Sequence, residues 1–186
     1  MSVFSFNFIL VIISFKKKTV LHMVALFPCR NDETDARRAF SWRNDPETVA
    51  SSYLPRPKTW DSFWLEYSEC YFRDSRCGPV FIADGNRDVG FIRFEPVSLP
   101  EGEAFEIMIN VAPEYRRRGI GTAALDVVKK APAFRGAFAL VADIRRENTA
   151  SIRLFEKSGF LFFGERNEYI EKINENCRIL CYRYIL

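Results

Sequence analysis

Histidine is almost missing from this chain: its 186 residues contain one, His22. That residue precedes the segment that reads as the folded domain. A histidine-activated serine or cysteine therefore has no histidine within the fold to draw on, and histidine is not the expected general base. The five cysteines, Cys29, Cys70, Cys77, Cys177 and Cys181, form no Cys-x-x-Cys. Cys177 and Cys181 have the spacing of one helical turn, but with so little histidine a zinc site has poor support and no metal is expected. Reduced thiols in a cytoplasmic protein fit the odd count. No Gly-x-x-x-x-Gly-Lys-Ser/Thr occurs, which excludes the nucleotide phosphate loop, and no full Gly-x-Gly-x-x-Gly with a following acidic partner supports a dinucleotide fold. Repeats and low-complexity tracts are absent too.

A charge surplus is also lacking. The net charge of +3 comes from 27 Lys and Arg against 24 Asp and Glu, and the three surplus cations are Lys16, Lys17 and Lys18. The remainder is neutral, so no nucleic-acid partner is expected from overall basicity. No apolar run is long enough for a bilayer span, which needs about 20 residues. The longest candidate, Val3–Phe15, has thirteen. No basic residue precedes it, so it makes a poor secretory signal.

What is present suits one domain: 48% hydrophobic residues, 18 of them Phe, with 27% charged. Residues 1–22 form an apolar extension and 23–186 the domain. Met23 is the expected functional start, because a first strand, Val24–Pro28, opens beside it; a short membrane-surface anchor is the alternative for the extension. Helices are expected over Asp35–Asn44 and, from an N-cap at Thr59, to about Asp74. Asp45-Pro46 reads as a break and Ser51–Pro57 as a loop. Val80–Asp84, a Gly85-Asn86-Arg87 turn and the segment after it read as a hairpin. Phe105–Val111 is the next strand, followed by a helix over Thr122–Lys130, a strand over Ala137–Asp143 and a helix over Thr149–Ser158. Phe160–Gly164 and Arg178–Leu186 supply the last strands. The aromatic spacing of the second helix reads as core.

The richest stretch is VAPEYRRRGIGT, Val111–Thr122. A strand runs into a turn, three arginines, Gly-Ile-Gly and a helix start. Backbone N–H groups, the helix dipole and the guanidinium charges converge there, and phosphate or pyrophosphate is the natural ligand. A second stretch, NTASIRLFEKSGF, runs from Asn148 to Phe160. Together the two resemble the GNAT superfamily of acyl-CoA N-acyltransferases. Arg116, Gly119 and Gly121 match its R/Q-x-x-G-x-G/A loop. Asn148, Ser151, Phe155, Gly159 and Phe160 match its N-x-x-S/A-x-x-x-(Y/F)-x-x-x-G-F helix. The resemblance covers Val24 to the C-terminus.

It implies a three-layer α/β/α sandwich around a mixed, mostly antiparallel sheet, and acetyl-CoA as co-substrate. Ile109 and Val111 would pair through their backbones with the pantetheine arm. The loop Arg116, Arg117, Arg118, Gly119, Ile120, Gly121 and Thr122 would take the pyrophosphate. Asn148 would reach the pantetheine or cap its helix, with Ser151 and Phe155 beside it. Strand alternation puts Glu106, Met108 and Asn110 on one face, so Glu106 and Asn110 are expected together in the cleft; the resemblance implies that Glu106, on the strand before the loop, is the candidate base. The family often has tyrosine where this chain has Phe155, which cannot donate a proton; Tyr53, Tyr115 and Tyr169 are substitutes, or the thiolate leaves unassisted.

The first half resembles bacterial amino-sugar-nucleotide acetyltransferases through Trp42–Pro46 and its spacing to the hairpin. Arg43, Asn44, Tyr53 and Arg56 would then border the acceptor, a small-molecule amine. Acetylation of a protein N-terminus or a polyamine, and a non-catalytic acyl-CoA-binding module, remain the alternatives. Monomer or homodimer is left open.

Overall fold

A computed structural model of the protein describes residues 13–17, 20–171 and 173–186. Most of the apolar run Val3–Phe15, on which the anchor expectation rests, lies outside the described residues. The elements are β1 (Ile13–Lys17), β2 (Val20–Pro28), α1 (Glu33–Arg43), α2 (Pro46–Ser51), α3 (Trp60–Cys70), β3 (Val80–Asp84), β4 (Arg87–Leu99), β5 (Gly102–Val111), α4 (Ile120–Val128), β6 (Ala139–Arg145), α5 (Thr149–Lys157), β7 (Leu161–Ile170) and β8 (Glu175–Ile185). The strand expected to open at Val24 begins at Val20, so the boundary drawn at Met23 falls within it. His22 is thereby part of the sheet: it is buried, with Nδ1 2.6 Å from Asp84 Oδ2.

Local chemistry explains the helix starts. Asp32, Thr59 and Asn148 each accept a hydrogen bond from a backbone N–H three residues on, at 2.9, 3.3 and 3.0 Å. Asp45-Pro46, read from sequence as a break, instead starts α2. Asp45 caps Thr48 N–H at 3.0 Å and Pro46 occupies the first turn, where its missing N–H costs nothing. Gly159 closes α5 at φ 84°, the left-handed conformation that glycine tolerates best.

The sheet order is β1-β2-β3-β4-β5-β6-β8-β7, with β5–β6 the parallel pair and the other neighbours antiparallel. Seven strands from Val20 onward form the body of the sheet, and β1 adds an eighth at one edge. Alternation divides the core into two layers. Val80, Ile82, Ile92 and Phe94 pack with α4 and Phe155 of α5. Phe81 and Phe91 pack with Ala36 and Ala39 of α1 and with the aromatic stripe Phe63, Tyr67 and Tyr71. Helices therefore cover both faces, the three-layer arrangement expected from the motifs. Cys177 and Cys181 lie in β8, not on a helical turn.

One feature of the sheet positions everything else. β5 and β6 pair over only three positions, Ala104↔Ala139, Phe105↔Leu140 and Glu106↔Val141. Both strands continue beyond that point, to Val111 and Arg145, without pairing. They part and open a cleft in the middle of the sheet. On its other edge β5 stays tied to β4 throughout, to Gly90↔Val111. There the backbones crowd: a Cβ on Gly90 would sit 2.3 Å from the Asn110 carbonyl oxygen. Gly90→Ala should cost about 1–3 kcal/mol, as overpacking does, and displace Asn110 and Val111. Thermal unfolding checks this, and an unchanged Tm would show that the strand end yields freely.

Candidate active site

The cleft encloses about 1470 Å³. One wall is the unpaired end of β5 with the loop that follows. A second is α5 with the end of β6. The third is α2 with the segment leading into α3. Glu106, Ile109, Asn110, Val111, Asn148, Ser151 and Phe155 all border it, so the strand and helix residues singled out from sequence are brought together.

The loop after β5 makes a short 3-10 turn over Pro113–Tyr115, then passes through Arg117 at φ 60° and Gly119 at φ 90° before α4 begins at Ile120. Gly119 is the N-cap and supplies no side chain, so the first N–H groups of α4 stay open to the cleft. Gly119, Ile120, Gly121 and Thr122 line that opening. Gly121 has a packing reason as well: a Cβ there would meet Leu154 Cδ1 of α5 at 3.1 Å.

The three arginines divide their work. Arg116 borders the cleft, but its guanidinium is committed to neighbouring protein groups. Its guanidinium donates to Asp45 Oδ2 at 2.6 Å, Thr48 Oγ1 at 2.7 Å, Glu47 Oε2 at 2.8 Å and the Val111 carbonyl at 3.0 Å. It is a strut between the end of β5 and the start of α2. Burial alone would raise the Asp45 pKa; the Arg116 and Thr48 hydrogen bonds hold it below the ordinary carboxylate value. Arg118 lies over the Tyr115 ring at 5.3 Å and faces a small depression beside His22, away from the cleft. Arg117 is exposed and borders the cleft.

Asn148 is similarly committed. Its Oδ1 caps α5 while its Nδ2 donates to the Ser51 carbonyl at 2.9 Å, joining α5 to the end of α2. Phe155 is 3% exposed and meets Phe160 edge to face at 4.9 Å. It is a core residue that touches the cleft wall.

Glu106 projects from the last paired position of β5. Burial pushes its carboxyl up to about 7, assisted by the charges of Asp143 and Glu95 and opposed by Arg93 and Arg166. A carboxyl poised there takes up and releases protons near neutrality. Of the three candidate tyrosines, Tyr53 and Tyr115 line the cleft. Burial and the neighbouring Glu168 push the Tyr53 hydroxyl up to about 12, with Arg166 opposing. Tyr169 is exposed and hydrogen-bonded to Asn174 on the β7–β8 hairpin.

Toward α3 the cleft meets a group of charges that sequence reading missed. Arg43, Tyr53 and Arg56 reach the cleft as expected, but Asn44 does not border it. Asn44 clamps the backbone of Lys58 from both sides, donating to its carbonyl at 2.7 Å and accepting from its N–H at 2.9 Å. Lys58, Glu66, Tyr71 and Arg93 are the unforeseen lining residues. Glu66 accepts from Lys58 Nζ, from Arg93 Nη1 at 3.1 Å and from the Tyr71 hydroxyl at 3.2 Å. Arg93 was findable, since alternation with Ile92 and Phe94 turns it to the cleft face. Lys58 follows a proline in irregular chain and carries no periodic signal.

The Acetyltransferase (GNAT) family profile matches residues 36–160. No curated protein matches the sequence. Among solved structures, an acetyltransferase of the GNAT family from Bacillus anthracis superposes with a TM-score of 0.69 at 19% identity, over 87% of this chain and 94% of its own. RimJ from Mycobacterium smegmatis, in complex with CoA-disulfide, gives 0.70 at 22% identity over 88% and 82%. The yncA structure from Salmonella typhimurium with its cofactor acetyl-CoA gives 0.64 at 19% identity over 88% and 94%. Among the described residues no helix is long and apolar enough to cross a membrane. The parted strands, the glycine-capped loop and the profile match over most of the chain agree: the chain belongs to the acetyltransferase (GNAT) family.

Proposed function

We propose that this enzyme transfers the acetyl group of acetyl-CoA to a small primary amine by direct attack within a ternary complex. The observation that carries the reading is the opening of the sheet between β5 and β6 immediately beside a carboxyl raised to about 7. The unpaired edge of β5 beyond Glu106 offers backbone donors and acceptors to an extended amide chain such as pantetheine, in the manner of an added strand. The N–H groups opening α4 receive the pyrophosphate. Arg117 adds charge from the rim, and Arg116 keeps the loop in place.

The chemistry then needs few groups. The amine nitrogen attacks the thioester carbonyl and forms the C–N bond. Its proton passes to Glu106, directly or through one water. The tetrahedral oxyanion is held by a backbone N–H near the end of β5. Collapse breaks the C–S bond, and coenzyme A leaves as thiolate, a leaving group whose ordinary pKa near ~8.5 makes an acid dispensable. Tyr53 and Tyr115, which line the cleft, are the candidate acids. As a finer reading we keep the amine of an amino sugar nucleotide as acceptor. What supports it is the resemblance around Trp42–Pro46 and the positions of Arg43, Tyr53 and Arg56 in the cleft.

Because the working form of Glu106 is the carboxylate, kcat/KM should rise with pH through about 7. Glu106→Gln should remove that inflection and lower kcat by about 10²–10⁴, with acetyl-CoA binding kept. A flat profile and an active Gln variant would dismiss Glu106 as base. The same shift has a sign for stability. A carboxyl whose folded pKa lies above its ordinary 4.5 carries a charge penalty that is absent below 4.5 and complete above about 7. Glu106→Gln should therefore raise Tm at pH 8 and leave it nearly unchanged at pH 4. The arginines should separate. Arg116→Ala should lower Tm and acetyl-CoA affinity together. Arg117→Ala should weaken acetyl-CoA several-fold, as loss of one phosphate contact does, at constant Tm; calorimetric titration and thermal unfolding read the two.

A further inference from the structure

Although the chain is neutral apart from its three N-terminal lysines, the cleft lining carries ten Lys and Arg against four Asp and Glu. Coenzyme A phosphates account for those near the loop. They do not account for the group at the α3 side, where Arg43, Lys58 and Arg93 stand around one shared carboxylate. Glu66 pairs with both Lys58 and Arg93, and Glu95 adds a partner to Arg93 at 3.4 Å.

Arg43 has no carboxylate of its own: among the described residues it makes no ion pair, and Glu66 acts on it only from a distance. Its Nη2 donates only to neutral oxygens, Ser52 Oγ and the Leu54 carbonyl, both at 3.3 Å. Its Nη1 is buried with no hydrogen-bond partner. The other such atom, Arg145 Nε, has Glu147 Oε2 at 3.5 Å. The last carbonyls of α1 add a partial negative charge. Holding a half-buried guanidinium with so little direct compensation is costly unless an anion completes the site. Burial indeed lowers the pKa of both Arg43 and Lys58, which marks how far the two are removed from water.

We propose that the acceptor amine carries an anionic group, a carboxylate or a phosphate, which docks against Arg43 and Lys58 while the amine faces Glu106. The proposal rests on the acetyltransferase reading for the amine but on the charge cluster for the anion. Arg43 and Lys58 are specificity-determining residues here. A polyamine would meet like charge in the same place. Met108 of β5 sits opposite Arg93 in the β4–β5 pairing, two residues from Glu106 on the same strand face, so Arg93, which shares Glu66 with Lys58, links the cluster to the strand that carries Glu106.

The test uses the full chain, acetyl-CoA and matched pairs of amines that differ in charge: β-alanine against β-alaninamide, and O-phosphoethanolamine against ethanolamine. The anionic member of at least one pair should have the higher kcat/KM by about tenfold or more, equivalent to one charge-assisted contact. The pair that shows it separates carboxylate from phosphate. Arg43→Gln should collapse that ratio toward one, mainly through the acceptor KM, with the KM of acetyl-CoA unchanged. Arg43→Met should leave Tm equal or higher, because it removes a half-buried charge with little direct compensation. Inorganic phosphate should raise the Tm of the wild-type protein saturated with coenzyme A, which occupies the loop, and should do so less for Arg43→Met. Neutral amines turned over as well as their anionic partners would overturn the anion site and leave the acetyltransferase standing, and so would a marked fall in Tm for Arg43→Met. No thiol release from any amine, with phosphate protection still dependent on Arg43, would overturn the acetyltransferase reading and keep the anion site.

Discussion

The molecule is organised around a pairing that stops. β5 and β6 are held together for three residues and then part, while β4 keeps its grip on the other edge of β5 to the end. A strand with one bonded edge and one open edge in the middle of a sheet is an unusual thing to hold still. Its open N–H and C=O groups require a partner of their own or water. The protein resolves this by making the open edge the cleft wall and by fixing the strand end independently. Gly90 lets β4 come close enough to brace Asn110, and the Ala112 N–H bonds back to the Val89 carbonyl at 2.8 Å.

Arg116 completes that fixation, and it shows how a binding motif can be satisfied by architecture. Its side chain spans from the Val111 carbonyl to Asp45, which is itself the cap of α2. Asn148 makes the corresponding tie from the far wall, capping α5 and holding the last turn of α2. α2 is only six residues long and buries one side chain, Val49, so these two polar clamps hold it at either end. The walls of the cleft are thus linked through one short helix, and the loop residues that border the opening are Arg117 and Gly119 to Thr122.

The fold was legible because its signals are local and repeated. Alternation in Phe105–Val111 places Phe105 and Ile107 in the core and Glu106 in the cleft, as two-residue periodicity requires. The caps at Thr59 and Asn148 lie where side-chain chemistry puts them. α2 was hidden because Asp-Pro ends a preceding helix and can begin the next one with the same two residues. Arg118 and Asn44 were misplaced for a different reason. A run of three arginines fixes the loop's charge but not which way each side chain turns; that depends on Arg117 adopting a positive φ. Asn44 belongs to the right neighbourhood, yet as a clamp on Lys58, the residue that does reach the cleft. The cluster of Lys58, Glu66 and Arg93 joins an irregular segment, a helix and a strand, and no single-segment pattern contains it.

That cluster also bears on Glu106. Glu106 is held near 7 by burial and by Asp143 and Glu95, against the pull of Arg93 and Arg166. Arg93 is itself paired with Glu66 and Glu95, and Arg166 with Asp143 at 2.7 Å. Each cation that acts on Glu106 thus has a carboxylate partner of its own, and the net result of burial and charge leaves the Glu106 carboxyl above its ordinary range.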